Sequence, residues 1–172
     1  LVGLGLARSL AAVNEIPLWQ ISHQENHLEA GLWSAQGPDA DRFLLLHASG
    51  GTTDLLLAEK QTDSTYALTQ AGGSKDLHAG QFVDRVGVAL GLQFPAGAAL
   101  EQLAATAADC IELPVAVRQG DVSLSGPATA ALRKIEAGAD PAALAAGVQY
   151  ALAENFVRMI RNVAAQKEIF DV

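Results

Sequence analysis

"FLLLHASGGTTDLLLAEK", residues 43–60, is the stretch on which the fold turns. An apolar run, Phe43 to Leu46, leads into Ser49-Gly50-Gly51-Thr52-Thr53, and a second apolar run starts at once. Two short apolar segments joined by turn residues read as two strands, 43–48 and 53–59, closed by a hairpin. "STYALTQ", 64–70, adds a third strand and makes an antiparallel meander. The tip is unusual, because Asn-Gly alone would have closed such a turn. Glycines at a strand–turn–strand corner let backbone N–H groups point into open space, where they can hold an anion. Ser49, Thr52 and Thr53 add hydroxyls, and Asp54 is placed to orient a metal or water. The plainer reading is a tip that needs positive φ, and on the hairpin alone it is the more economical one.

Toward the N-terminus, Leu6, Leu10 and Val13 recur at helical spacing and predict a helix over 4–13. "IPLWQIS", 16–22, reads as a short strand. Ser22 followed by Glu25 is a capping box that opens a helix running to about Ala35. On that helix His23 and His27 stand four apart, so both imidazoles face one way, a chelating spacing for a divalent metal. Glu25 falls off that face and has its own capping role. Two histidines without a metal are the commoner meaning of a bare H-x-x-x-H. "QGPDAD", 36–41, is a loop.

Toward the C-terminus, "KDLHAGQFVDRVGVAL" predicts a helix ending near Gly91, and "FPAGAALEQLAATA" another with Ala99, Leu103 and Ala107 on one side. "ELPVAV" and "VSLSG" read as strands. Helices follow from Pro127 to about Glu136 and from Pro141 to about Gln166, each with proline where the first turn tolerates it. The closing "KEIFDV" opens a further strand. Strands and helices alternate loosely, so the class is α/β.

The whole-chain numbers narrow the functions. With 172 residues and half of them hydrophobic, the chain can bury a core. A net charge of −8 argues against a generic basic surface for nucleic acid. One cysteine, Cys110, excludes an internal disulfide framework and fits a reducing compartment, here taken as cytoplasmic; it reads as a small core residue. No apolar run is long enough to span a membrane, and the apolar start lacks the basic leader of a signal peptide. Trp19 and Trp33 are expected in the core or at an interface. Asp84, amid apolar helical positions, can bind ribose hydroxyls or simply cap or pair with Arg85 or Arg118. Gly97 permits close backbone approach to a ligand. Ser123 and Ser125 alternate with Val122 and Leu124, either as ligand contacts or as the polar face of an edge strand. No Ser-His-Asp order, nucleophile elbow or zinc-protease motif is present, and no catalytic residue is assigned.

Taken in order, these segments resemble the TsaD family of tRNA N6-adenosine threonylcarbamoyltransferases, once described as O-sialoglycoprotein endopeptidases or glycoproteases. "GLGLARSLAAVNEIPLWQISHQENH" is similar to the family's helix, IPL strand and histidine metal motif. "LLLHASGGTTDL" resembles its LLVSGGHTxL hairpin. "AGQFVDRVGVALGLQFPAGAALEQLA" resembles AGExFDKxAxxLGLxYPGGPxIExLA, and "GDVSLSGPATA" resembles DFSFSGLKTA. The resemblance is collinear over nearly all of the chain. It implies an actin-like (ASKHA, RNase H-like) fold of two lobes with nucleotide and metal between them: 1–42 the end of the first lobe, 43–172 the start of the second with a helical insertion. It implies a divalent metal, iron or zinc, at His23 and His27. It implies ATP or threonylcarbamoyl-adenylate along Ala48, Ser49, Gly50, Gly51 and Thr52, with Asp84 and Gly97 at the ribose. The implied reaction moves threonylcarbamoyl from its adenylate to N6 of an adenosine in tRNA. Implied partners are small TsaB-like and TsaE-like proteins, with tRNA reached through that complex; a homodimer is a further option.

The sequence departs from the family pattern at several places. Thr52 replaces the histidine of SGGHT. Of the family's DDAxGE, Asp76 keeps the first acid, Leu77 replaces the second and Gln81 replaces the glutamate. YPGG is Phe94-Pro95-Ala96-Gly97. The family's ETSCDET phosphate loop is expected before Leu1, and its GGVAAN motif and last metal-ligand aspartate after Val172. The fold is therefore expected to be incomplete at both ends, and the chain by itself too incomplete to be active. Two other readings stay open: a non-catalytic paralogue that keeps nucleotide or metal binding as a scaffold, and an acyl- or sugar-kinase-like ATPase of the same superfamily.

Overall fold

The structure is a computed structural model that describes residues 2–38 and 40–169. It divides into two compact units, Leu1–Pro38 and Asp39–Val172.

The first unit holds two helices, α1 (Val2–Val13) and α2 (His23–Ala35). The Ser22 hydroxyl accepts from the Glu25 amide at 3.1 Å, and the Glu25 carboxylate accepts from the Ser22 amide at 2.5 Å, completing the expected capping box. The helix over 4–13 forms, but the strand read at 16–22 does not. β-Propensity needs a partner to take the backbone hydrogen bonds, and this unit has no strand among its described residues. The Leu6–Leu10–Val13 stripe is exposed, and Ala11 is the buried residue of α1. Trp19 and Trp33 are 84% and 86% exposed, which removes the core alternative for them and leaves the interface one.

In the second unit the meander forms as read, with shifted limits. It comprises β1 (Arg42–Ala48), β2 (Thr53–Lys60) and β3 (Tyr66–Ser74). Sheet order is β1-β2-β3-β5-β4, where β4 is Val117–Arg118 and β5 is Asp121–Val122. The first three strands are antiparallel, β5 joins β3 in parallel, and β4 pairs back on β5. Strand β3 runs four residues beyond the expected end because Gly72 and Gly73 stay in the ladder opposite Leu55 and Asp54. A β-carbon on Gly72 would overlap the Gly120 carbonyl, so glycine is what lets β3 pass this close to the turn before β5. The expected strands at 112–117 and 122–126 shrink to two residues each.

Four helices complete the unit: α3 (Ala79–Ala89), α4 (Gly97–Ala104), α5 (Ser125–Glu136) and α6 (Pro141–Lys167). Their inner faces meet β2 in one core that includes Leu55, Phe82, Val86, Leu100, Leu124, Leu144, Val148, Met159 and Val163. On α4 Leu100 and Ala104 are buried, and Leu103, on the side read from the sequence, is partly buried against the same core. Cys110 is exposed, against its expected place in the core. The strand expected to open in "KEIFDV" lies partly outside the described residues, and α6 continues to Lys167. Asn155, on the buried face of α6, accepts from the Ala116 amide at 3.0 Å and donates to the Ala151 carbonyl at 2.6 Å. No described helix is long and apolar enough to cross a membrane.

Candidate functional site

The hairpin tip is built around one hydroxyl. Ser49 Oγ accepts from the amides of Gly51 and Thr52 at 3.2 and 3.1 Å, and the Ser49 amide donates to the Thr52 carbonyl at 2.8 Å. Two of the amides expected to point outward are thus held by the loop itself. Gly50 and Gly51 do not have positive φ, which also corrects the plainer reading of the tip. Their absent side chains leave open space: a β-carbon on either would meet nothing within 4 Å. The result is a bare backbone surface of the kind a phosphate or a sugar can approach.

That surface is fixed from behind by the start of α3. Thr53, fully buried, accepts from the Ala79 amide through Oγ1 at 2.8 Å. The Gly80 amide donates to the Ser49 carbonyl at 3.0 Å. A β-carbon on Gly80 would lie 2.7 Å from Gly50 Cα and 2.8 Å from Gly50 N, so hairpin and helix meet backbone to backbone. Gln81 accepts from the His78 amide at 3.2 Å and so supplies the acceptor of the helix's first turn. Leu77 is buried in the core.

Asp84, midway along α3, accepts from the Ala96 amide at 2.7 Å, immediately before Gly97. Asp84 and Gly97 are thereby brought together, and the capping option among those read from the sequence describes the contact made. Gly87 packs on Ala96, where a β-carbon would overlap the alanine methyl.

Ser123 and Ser125 are not alternating strand residues, since α5 already begins at Ser125. Both serve Asp76. Its carboxylate accepts from Ser123 Oγ at 2.5 Å and from the amides of Leu124, Ser125 and Leu77 at 2.9, 3.3 and 2.6 Å. Burial pushes this carboxyl upward, but the Ser123 hydroxyl and the Leu124, Leu77 and Ser125 bonds outweigh it and hold it far below the ordinary 3.8. A pKa depressed in the folded state contributes stability above the unfolded value and loses it as pH falls. The stability gap between the unaltered protein and Asp76→Asn is therefore expected to be full at pH 7 and to shrink below about pH 4, as urea midpoints across pH will show. Motif reading singles out Asp76, Ser123 and Ser125 separately, but nothing in their spacing announces that they meet.

In the first unit, His23 Nε2 and His27 Nε2 stand 3.1 Å apart with rings at 89° and centroids 4.4 Å apart. Two metal–nitrogen bonds of about 2.0–2.1 Å at a tetrahedral angle need nitrogens about 3.3 Å apart, so the pair fits two positions of such a shell. Glu25 is committed to the cap, and its pKa is lowered by the Ser22 amide and then the Ser22 hydroxyl.

A model of the family described as TsaD, tRNA N6-adenosine threonylcarbamoyltransferase, matches residues 1–172. The chain is 35% identical to the tRNA N6-adenosine threonylcarbamoyltransferase of Methanopyrus kandleri, over 96% of this chain and 46% of that protein. It is 37% identical to a protein of that name from Thermus thermophilus, over 95% of this chain and 50% of that protein. A relative from Methanothermobacter thermautotrophicus, named a probable bifunctional tRNA threonylcarbamoyladenosine biosynthesis protein, is 33% identical over 94% of this chain and 29% of that protein. The chain thus spans about half the length, or less, of these curated relatives. Residues 1–172 belong to the TsaD family of tRNA N6-adenosine threonylcarbamoyltransferases.

Proposed function

We propose that the protein to which this chain belongs acts in tRNA threonylcarbamoyladenosine biosynthesis, transferring threonylcarbamoyl from its adenylate to N6 of an adenosine in tRNA. The reading is carried by the open glycine backbone of the hairpin, anchored on α3 through Thr53 and Gly80. On this reading Ala48–Thr52 bind the phosphate of ATP or the adenylate, and Asp84 and Gly97 bind the ribose. The N6 amine attacks the carbamoyl carbon, the new N–C bond forms, the bond to the phosphate oxygen breaks, and AMP leaves with that electron pair while the amine gives up a proton. His23 and His27 would hold a divalent ion, iron or zinc, which when bound supplies Lewis acidity toward the donor. An actin-like fold of two lobes, small TsaB-like and TsaE-like partners and a cytoplasmic location belong to the same proposal.

The scaffold reading draws on one observation: where the family has acids, Leu77 is buried in the core and the neutral Gln81 caps a helix. The deciding experiment is complementation of a strain lacking the transferase, using the full-length protein. Growth with the modified nucleoside supports transfer, and no modified nucleoside refutes it. Metal content supplies a separate check. The full-length protein is expected to carry a divalent ion that is lost in the His23→Ala/His27→Ala double variant, and unchanged content on elemental analysis removes the histidines as ligands.

A further inference from the structure

We infer that Asp76 is a positioning residue for the hairpin site: it locks the N-terminus of α5 to the segment that sets α3 against Gly50, without itself contacting ligand. The inference rests on the nucleotide reading of that hairpin for its functional meaning, though the lock itself does not. Asp76 sits in the short link between β3 and α3. Oδ2 of its carboxylate takes the Ser123 hydroxyl and the Ser125 amide, and Oδ1 takes the Leu124 amide, donors 47 to 49 residues further along the chain. The other interactions are local. Asp76 holds the Leu77 amide, and Ser74 Oγ donates to the Leu77 carbonyl at 2.6 Å.

Leu77 is therefore gripped at both its amide and its carbonyl, with its side chain in the core. Two residues later the chain delivers the Ala79 amide to Thr53 Oγ1 at 2.8 Å and the Gly80 amide to the Ser49 carbonyl at 3.0 Å. The path from carboxylate to hairpin is a continuous set of short bonds with a single rigid turn between them. The charge matters as well as the shape. A carboxylate accepts from all four donors at once and complements the helix N-terminus, whereas an amide of the same size is neutral and offers only one oxygen. In Asp76→Asn the link loses that grip, α3 shifts at its first turn, and the hairpin backbone loses its fixed backing.

The test uses the full-length protein with two readouts. Amide hydrogen exchange, read without ligand, is expected to speed at least tenfold at Gly51, Thr52 and Gly80 in Asp76→Asn, with the interior of β2 unchanged. ATP titration is expected to show affinity falling about tenfold or more. Asp76→Glu, which keeps the charge, is expected to recover part of both. Asn155→Ala serves as the control for general destabilisation, because it removes the acceptor for the Ala116 amide and leaves every hairpin bond in place; its hairpin exchange and ATP affinity are expected to stay at the unaltered level. Unchanged hairpin exchange in Asp76→Asn overturns the lock. If exchange speeds while the unaltered protein binds no ATP, the lock stands and the nucleotide reading falls. If ATP affinity drops equally in Asn155→Ala, the effect is general instability and the positioning role is refuted.

Discussion

Gly147→Ala is expected to destabilise the protein by about 2–3 kcal/mol, the upper part of the range for overpacking a core. A β-carbon at this buried position of α6 would overlap the Ile111 carbonyl oxygen. Helix propensity runs the other way, since alanine in place of glycine gains about 1 kcal/mol in an open helix. Sterics win because the obstacle is backbone and cannot swing aside. The Ile111 amide donates to the Ala143 carbonyl at 3.0 Å, and five residues later the Ala116 amide is held by Asn155 at 3.0 Å. Both ends of the crossing segment are thus tied to α6. Gly126→Ala supplies the contrast, because its added methyl meets nothing within 4 Å. That variant is expected to be neutral or stabilising by up to about 1 kcal/mol. Urea midpoints at constant slope check both; equal midpoints for the two variants remove the steric argument.

Gly80→Ala is expected to do the opposite kind of damage, with little loss of stability and a large loss at the site. The new methyl would sit 2.7 Å from Gly50 Cα, 2.8 Å from Gly50 N and 2.9 Å from the Ser49 carbonyl oxygen. Here the obstacle can yield, since Ser49, Gly50 and Gly51 form an exposed tip. The hairpin moves off α3, the Gly80–Ser49 bond is lost, and the gain in helix propensity offsets much of that loss. On the nucleotide reading, ATP affinity is expected to fall at least tenfold, about 1.4 kcal/mol, while the urea midpoint changes little. A variant with both midpoint and affinity intact would show that the backbone contact has no part in binding.

The meander, α2, α3, α5 and α6 are legible in the sequence because their apolar spacing and caps state their own period. The "IPLWQIS" strand fails because a strand is a relation between two segments, and propensity describes only one of them. The end of β3 is missed for the converse reason: Gly72 and Gly73 look like a stop, but their ladder to Leu55 and Asp54 carries them on. At the site, the position of Asp84 next to Gly97 depends on a bond to the Ala96 amide that no spacing announces. Asp76 belongs with Ser123 only after β3 and β5 have paired. Asn155 does carry a local signal, a polar residue between Ala151 and Met159 at four-residue steps on the buried stripe of α6.

The seam between Gly50 and Gly80 is made of main-chain atoms alone, and that has an evolutionary consequence. Side chains around it can drift without altering what the seam itself is built from. Leu77 lies in the apolar interior and Gln81 accepts from the His78 amide, so neither side chain is part of the seam. The burden of the seam falls on position 80, where a β-carbon would meet main-chain atoms of Gly50 and Ser49, while one on Gly50 would point into open space.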